Sequence, residues 1–257
     1  MDDFVALSCG RVHYRIWGQG PALIFMHSNG ASLHEAQAFA TIVSARYRVI
    51  AWDMPGHGDS DPLHRHATIE RYSDWLDEFM TALQLDVAHM SGTSVGAVIA
   101  ADFAARYPHR VRSAILVELA SRTPQWWQQH WSMVESMFSI PAQDRPSVAR
   151  RYFTPLTDEF FSRCNIDRHK AGAKTMMDVM WAGRAYDVEK ILPSIKAPAL
   201  LLFGQQSPVI EPAPRLQALM TRAQLQMLAN TGHFPMIDVP MAFCEAIDRF
   251  ISSIQGH

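Results

Sequence analysis

Residues 88–104 read "AHMSGTSVGAVIAADFA", and Ser94 stands between Gly92 and Gly96 at the seam of a short apolar run and an Ala-rich one. A sharp turn from strand to helix lifts a serine hydroxyl above the edge of a sheet, so such a turn needs a strand before it and a helix after it. "VAHMS" precedes Ser94 and "VGAVIAADFAARYP" follows it. The flanking glycines keep the turn free of side chains, and the serine itself is expected in a strained backbone region. The helix start would then aim free backbone N–H groups at a negative oxygen formed on a substrate. G-x-S-x-G is a weak pattern by itself, and an ordinary helix-capping serine fits the same letters. The rest of the chain decides between the two.

Outward from this stretch, short apolar runs alternate with segments of helical period, the pattern of a parallel sheet covered by helices. Strands are expected at 12–17, 22–26, 47–52, 87–91, 113–118, 199–203 and 224–228, with helices at 35–45, 69–83, 95–107, 213–220 and 241–253. The alternation fails between about Arg122 and Lys196. That region, opening "TPQWWQQHWSMVESMF", holds four of the seven tryptophans and shows helical rather than strand spacing. The expected organisation is an α/β core of residues 1–121 and 196–257 with a helical cap over 122–195. No internal repeat or low-complexity tract interrupts it.

Composition excludes several function classes. The 257 residues are enough for a full core, and 48% of them are hydrophobic. With 23 Lys+Arg against 25 Asp+Glu there is no basic field to hold a phosphate backbone, so nucleic acid is not an expected partner. The longest apolar candidate, "VGAVIAADFAA", is broken by Asp102, and no membrane partner is expected. "MDDFVALSCG" opens with two acids rather than the basic start of a signal peptide. Cys9, Cys164 and Cys244 are widely spaced and odd in number, which fits reduced thiols in a cytoplasmic protein. His64 and His66 form an H-x-H without carboxylates at ligand spacing, and "HEAQA" at His34 is not H-E-x-x-H, so neither metal nor cofactor is expected. A homodimer stays open.

Three further segments carry the argument. "LIFMHSNGAS" sets His27, Ser28, Asn29 and Gly30 after a strand; "VIAWDMPGHGDSD" sets Asp53, His57 and Ser60 after the next; "LANTGHFPMIDVP" sets His233 between the last strand and the last helix. In this order, with the Ser94 turn, they resemble the α/β-hydrolase superfamily over essentially the whole chain. The resemblance implies the α/β-hydrolase fold: a mostly parallel central sheet flanked by helices, with a helical cap insertion. It also implies Ser94 as nucleophile, His233 as general base, and the N–H groups of Val95 and Asn29 as an oxyanion hole. The chemistry agrees with those roles. A serine hydroxyl attacks poorly until a base takes its proton, and a histidine with an ordinary pKa of about 6.5 can do so near neutral pH. His57 and Asp53 are expected to be structural residues of a tight polar turn.

The acid is less direct. Most of the family carries an Asp after the penultimate strand, where this chain reads "LLLFGQQSPVIEP" and has Ser207. A neutral hydroxyl cannot stabilise an imidazolium. Glu118, in "VRSAILVELASRTPQWW", follows an apolar run and should emerge at the same sheet edge as Ser94. Some haloalkane dehalogenases place a Glu there, and "ILVELASRTPQWW" resembles their segment. Their nucleophile is Asp; a serine would form an ether that water does not cleave, so dehalogenation is excluded. Glu118 is the expected acid, with Glu211 and an acid-free Ser–His dyad as alternatives.

Trp126, Trp127, Trp131, Met137, Phe138, Met177 and Trp181 are expected to line a lid over the serine. A roof rich in Met and Trp suits a small hydrophobic substrate with an apolar or aromatic acyl part. No arginine cluster pointing to a polyanionic substrate is visible. The expected reaction is hydrolysis of a carboxylic ester, lactone or thioester through an acyl-enzyme. A C–C bond hydrolase or cofactor-free oxygenase on the same scaffold is the second reading. A ligand receptor without turnover, motivated by Ser207, is the third.

Overall fold

The computed structural model describes residues 2–255. Its strands are β1 (Asp2–Leu7), β2 (Gly10–Trp17), β3 (Ala22–Met26), β4 (Arg48–Trp52), β5 (Ala88–Thr93), β6 (Val111–Val117), β7 (Ala199–Gly204) and β8 (Ala223–Leu228). The helices are α1 (Gln37–Val43), α2 (Ile69–Ala82), α3 (Val95–Arg106), α4 (Pro124–Phe138), α5 (Arg145–Ala149), α6 (Asp158–Ala185), α7 (Val188–Ile191), α8 (Ala213–Ala218), α9 (Pro235–Asp238) and α10 (Pro240–Gln255). One sheet of order β1-β2-β4-β3-β5-β6-β7-β8 contains all the strands. β2 runs antiparallel to β1 and β4, and every other neighbouring pair is parallel.

Strands buried on both faces read as unbroken apolar runs, which is why β3 (ALIFM) and β7 (ALLLFG) are conspicuous in the sequence. Successive side chains serve opposite faces. Ile24, Met26, Leu116 and Leu201 join Leu76 of α2, Ile99 of α3 and Leu216 of α8 in one core. Leu23, Phe25, Ile115 and Leu200 join Phe39 of α1 and Phe243 and Ile247 of α10 in the other. Each such side chain contributes on the order of 1.5–3 kcal/mol by leaving water. β1 was not expected: it opens with two acids and is mostly exposed, because it is an edge strand paired only with β2. The helix expected at 35–45 is a 3-10 turn, Leu33–Ala36, followed by the shorter α1.

Between β6 and β7 the described chain is helical. The side chain of Thr123 accepts the Trp126 N–H at 3.1 Å and Pro124, which has no N–H, occupies the first turn of α4, so fewer donors are left open at the start of that helix. α6 is interrupted at Gly172, whose φ of 72° and ψ of 158° break the helical path. α4 and α6 pack on each other, and α6 and α7 touch α3 of the core.

Candidate active site

Ser94 joins β5 to α3 with φ 57° and ψ −117°, outside the ordinary regions for a residue with a side chain. The crowding that forces this turn is measurable. A Cβ on Gly92 would lie 2.3 Å from the Gly96 carbonyl oxygen, and one on Gly96 would lie 2.2 Å from that of Met26. The Ser94 hydroxyl makes no capping bond to α3, so the helix-cap reading is set aside. Among the described residues, neither the N–H of Val95, at the helix start, nor that of Asn29 has an acceptor.

Glu118 follows β6 and is fully buried, also with a positive φ, 54°. Its main-chain N–H donates to Leu202 O at 2.9 Å, its Oε1 accepts from Gly204 N at 2.6 Å, and its Oε2 accepts from the Ser207 hydroxyl. Nδ1 of His233 lies 3.3 Å from that same Oε2. The contact is an ion-pair distance without hydrogen-bond alignment, since Nδ1 has no aligned acceptor. Catalytic contacts commonly tighten only once substrate is bound. The β7 end and the His233 loop approach closely because Gly204 has no side chain: a Cβ there would sit 2.3 Å from Gly232 O. Glu211 is exposed and makes no ion pair with His233.

The loop after β3 is braced from both sides. Asn29 accepts at Oδ1 from His57 Nε2 at 3.2 Å and donates from Nδ2 to Met176 O of α6 at 2.9 Å. Its amide therefore ties the core to α6, and only its main chain is free for a ligand. Burial lowers the His57 pKa to about 3, with His27 adding to the effect, so the ring is neutral. His27 accepts from Met54 N at 2.9 Å, which leaves its Nδ1–H to donate to Ser28 O at 2.8 Å. Asp53 binds His13 Nδ1 at 2.7 Å, Leu33 N at 2.7 Å and Asp59 N at 2.8 Å, as a turn-forming carboxylate does. His13, Asp53 and Asp59 bring ligand-type atoms within 4.8 Å of one another. They are already engaged: His13 Nε2 meets Asp2 at 2.8 Å and Asp59 meets Lys170 at 2.6 Å.

A cavity of about 570 Å³ opens over these groups, lined by Ser94, Val95, Asn29 and His233 below and by Trp126, Trp127, Met137 and Phe138 above. The serine, the histidine and both free N–H groups thus lie at the carboxyl ends of the parallel strands, where open α/β sheets hold their ligands. A model of the alpha/beta hydrolase fold family matches residues 21–154, more than half of the chain. This chain belongs to the alpha/beta hydrolase family. Among its relatives, 3-oxoadipate enol-lactonase 2 of Acinetobacter baylyi is 27% identical, with 92% of this chain and 91% of that protein covered. The 2-hydroxy-6-oxo-2,4-heptadienoate hydrolase of Pseudomonas putida is 25% identical over 92% of this chain and 91% of that one. The structure of a bacterial membrane phospholipase A superposes with a TM-score of 0.89 at 24% identity, covering 100% of this chain and 87% of that one, a likeness of fold.

Three residues expected in this alpha/beta hydrolase's cavity lie outside its lining. Met177 and Trp181 are turned away because Val179, Met180 and Gly183 present the lining stripe of α6, and about 100° per residue carries 177 and 181 off it. Trp131 instead packs on Trp181 at 4.1 Å, with Arg184 over both rings at 4.6 and 4.9 Å. Sequence reasoning also missed Arg122, Arg150 and Arg151 in the lining. It missed Glu35 as well, whose Oε2 accepts from both the N–H and the hydroxyl of Ser28, at 3.2 and 2.7 Å. Its pKa is raised to about 7 by burial.

Proposed function

We propose that this chain is a serine hydrolase acting on a carboxylic ester, lactone or thioester with a hydrophobic or aromatic acyl part, and that the helices of 122–195 form its lid. The observation that carries the reading is Glu118 against His233 Nδ1 at 3.3 Å, beneath a cavity that Ser94 also lines.

In this reading the Ser94 oxygen attacks the substrate carbonyl while His233 Nε2 takes the hydroxyl proton. Glu118, fixed by Gly204 and Ser207, holds the opposite ring nitrogen and balances the imidazolium. The N–H groups of Val95 and Asn29 receive the charge on the tetrahedral oxygen. Collapse expels the alcohol, enol or thiol, which takes the proton from His233 and leaves an acyl-enzyme. Water, deprotonated by the same nitrogen, then releases the acid and restores Ser94.

A pre-steady-state burst from an aryl ester tests this: one phenol released per chain, followed by slower turnover, is expected. Turnover of aryl esters without a covalent adduct on Ser94 would count against it. The relation to the Pseudomonas putida dienoate hydrolase favours a second reading, cleavage of a C–C bond with the same serine and histidine. Faster turnover of a ring-cleavage diketone than of any aryl ester would select it.

A further inference from the structure

Three arginines, Arg122, Arg150 and Arg151, line a cavity that is otherwise largely apolar. None of them forms an ion pair among the described residues. Among the described residues Asp187 is the cavity's one lining carboxylate, and it is held by Lys190 at 3.0 Å. The chain as a whole carries a net charge of −2, so the wall is a local concentration of positive charge against the trend. Such charge is costly in an apolar cavity unless something anionic completes it.

The three are not equivalent. Arg150 is exposed and bonds Ser147 Oγ at 3.0 Å. Arg151 bonds Gln143 Oε1 at 3.2 Å and lies over Phe234, 5.1 Å from its centroid. Among the described residues Arg122 has one hydrogen bond, a long one of 3.4 Å to Pro208 O, and its guanidinium lies over the Trp126 ring, Cζ 4.3 Å from the centroid. Most of its five donors are therefore uncommitted at the cavity wall. Burial also lowers its pKa from the ordinary guanidinium value, with Glu211 opposing the shift from a distance.

We infer that Arg122, braced on Trp126, is the seat for a carboxylate carried by the substrate, so that the compound cleaved is an ester or lactone that keeps a second, free carboxylate. The planar guanidinium matches a carboxylate bidentately, which a lysine could not do. This rests on the acyl-transfer reading of the cavity for its catalytic consequence; the binding itself does not need turnover.

Two measurements separate those levels. The first is kinetic: 4-nitrophenyl hemiglutarate, an anion, against 4-nitrophenyl hexanoate, a neutral ester of similar length. The wild type is expected to prefer the anion in kcat/KM, mainly through KM, and Arg122→Gln to cut the anion-to-neutral ratio about ten- to hundred-fold, the size of a lost charged hydrogen bond. Arg151→Gln should leave the ratio within about two-fold. The second is calorimetric titration with glutarate, which needs no catalysis: wild type and Ser94→Ala bind it, and Arg122→Gln binds about ten-fold or more weakly. No preference for the anion, equal glutarate binding in Arg122→Gln and wild type, or a ratio moved by Arg151→Gln instead would overturn the inference. Glutarate binding with no ester turnover would uphold the seat and defeat the hydrolase reading alone.

Discussion

Ser207 donates its hydroxyl to Oε2 of Glu118, the same oxygen that lies 3.3 Å from Nδ1 of His233. Where the family resemblance led to the expectation of an Asp, a neutral hydroxyl instead binds a carboxylate. It anchors the Glu118 carboxylate at the end of β6, while its oxygen accepts from Val209 N at 3.1 Å. One carboxylate oxygen faces both a neutral donor and the His233 imidazole.

Glu118→Gln is expected to lower kcat by about 10³ to 10⁴, as loss of a triad carboxylate does, while the amide oxygen can still accept Gly204 N–H. Ser207→Ala should cost much less in kcat but about 1–3 kcal/mol in stability, because a buried carboxylate loses a donor. Ser207→Asp alone sets two carboxylates together and should destabilise near neutral pH. Combined with Glu118→Gln, it should recover part of the lost activity. Steady-state kinetics and urea midpoints on the four variants check the set; a double variant no better than Glu118→Gln would argue against interchangeable acids.

Asn29 tests the brace between the core and α6. Asn29→Ala keeps the main-chain N–H but strands His57 Nε2 and Met176 O, so a loss of about 1–3 kcal/mol is expected. In the proposed mechanism the loop after β3 should loosen with it and kcat fall by about ten-fold, a cost of ~1.4 kcal/mol in the transition state. Unchanged stability and kcat would show that the amide bonds position nothing.

Glu35 makes a pH-dependent prediction. Its folded pKa, about 7, lies above its ordinary 4.5 because it is buried. A raised folded pKa means a contribution fully present below the unfolded value and lost as pH rises through the folded one. Stability should therefore decline between about pH 5 and 8, by on the order of 3 kcal/mol from this group. Glu35→Gln should flatten that decline and be relatively more stable at pH 8 than at pH 5. Urea unfolding at both pH values measures it; parallel curves for wild type and variant would contradict the assignment.

His13 titrates in the same direction for another reason. The bond to Asp53 raises its pKa above 6.5, against an opposing effect of burial. Its contribution is present below pH 6.5 and lost above its folded value. The stability gap between wild type and His13→Gln should be wider at pH 6 than at pH 9, read from thermal or urea melts.

The elbow and the inner strands were legible because strands buried on both faces leave unbroken apolar runs, and the placement of Glu118 at the strand ends was legible because it terminates one. β1 was hidden by its place at the edge, where "DDFVAL" needs no apolar pattern. The helical character of 122–195 was legible from its spacing, but Met177 and Trp181, picked out by residue type, fall off the stripe of α6 that lines the cavity. The Asn29 brace, the Ser207 anchor and the arginine wall join segments far apart in the chain, and no local spacing announces them.

The central claim is that Ser94 is a nucleophile activated through His233 and Glu118. Treating the protein with a fluorophosphonate and mapping the adduct by peptide mass spectrometry tests it most directly. One phosphonyl group per chain on Ser94 is expected, absent in Ser94→Ala and much slower to form in His233→Ala and Glu118→Gln. No adduct, an adduct on another serine, or labelling of Ser94 at the same rate in all the histidine and glutamate variants would contradict it.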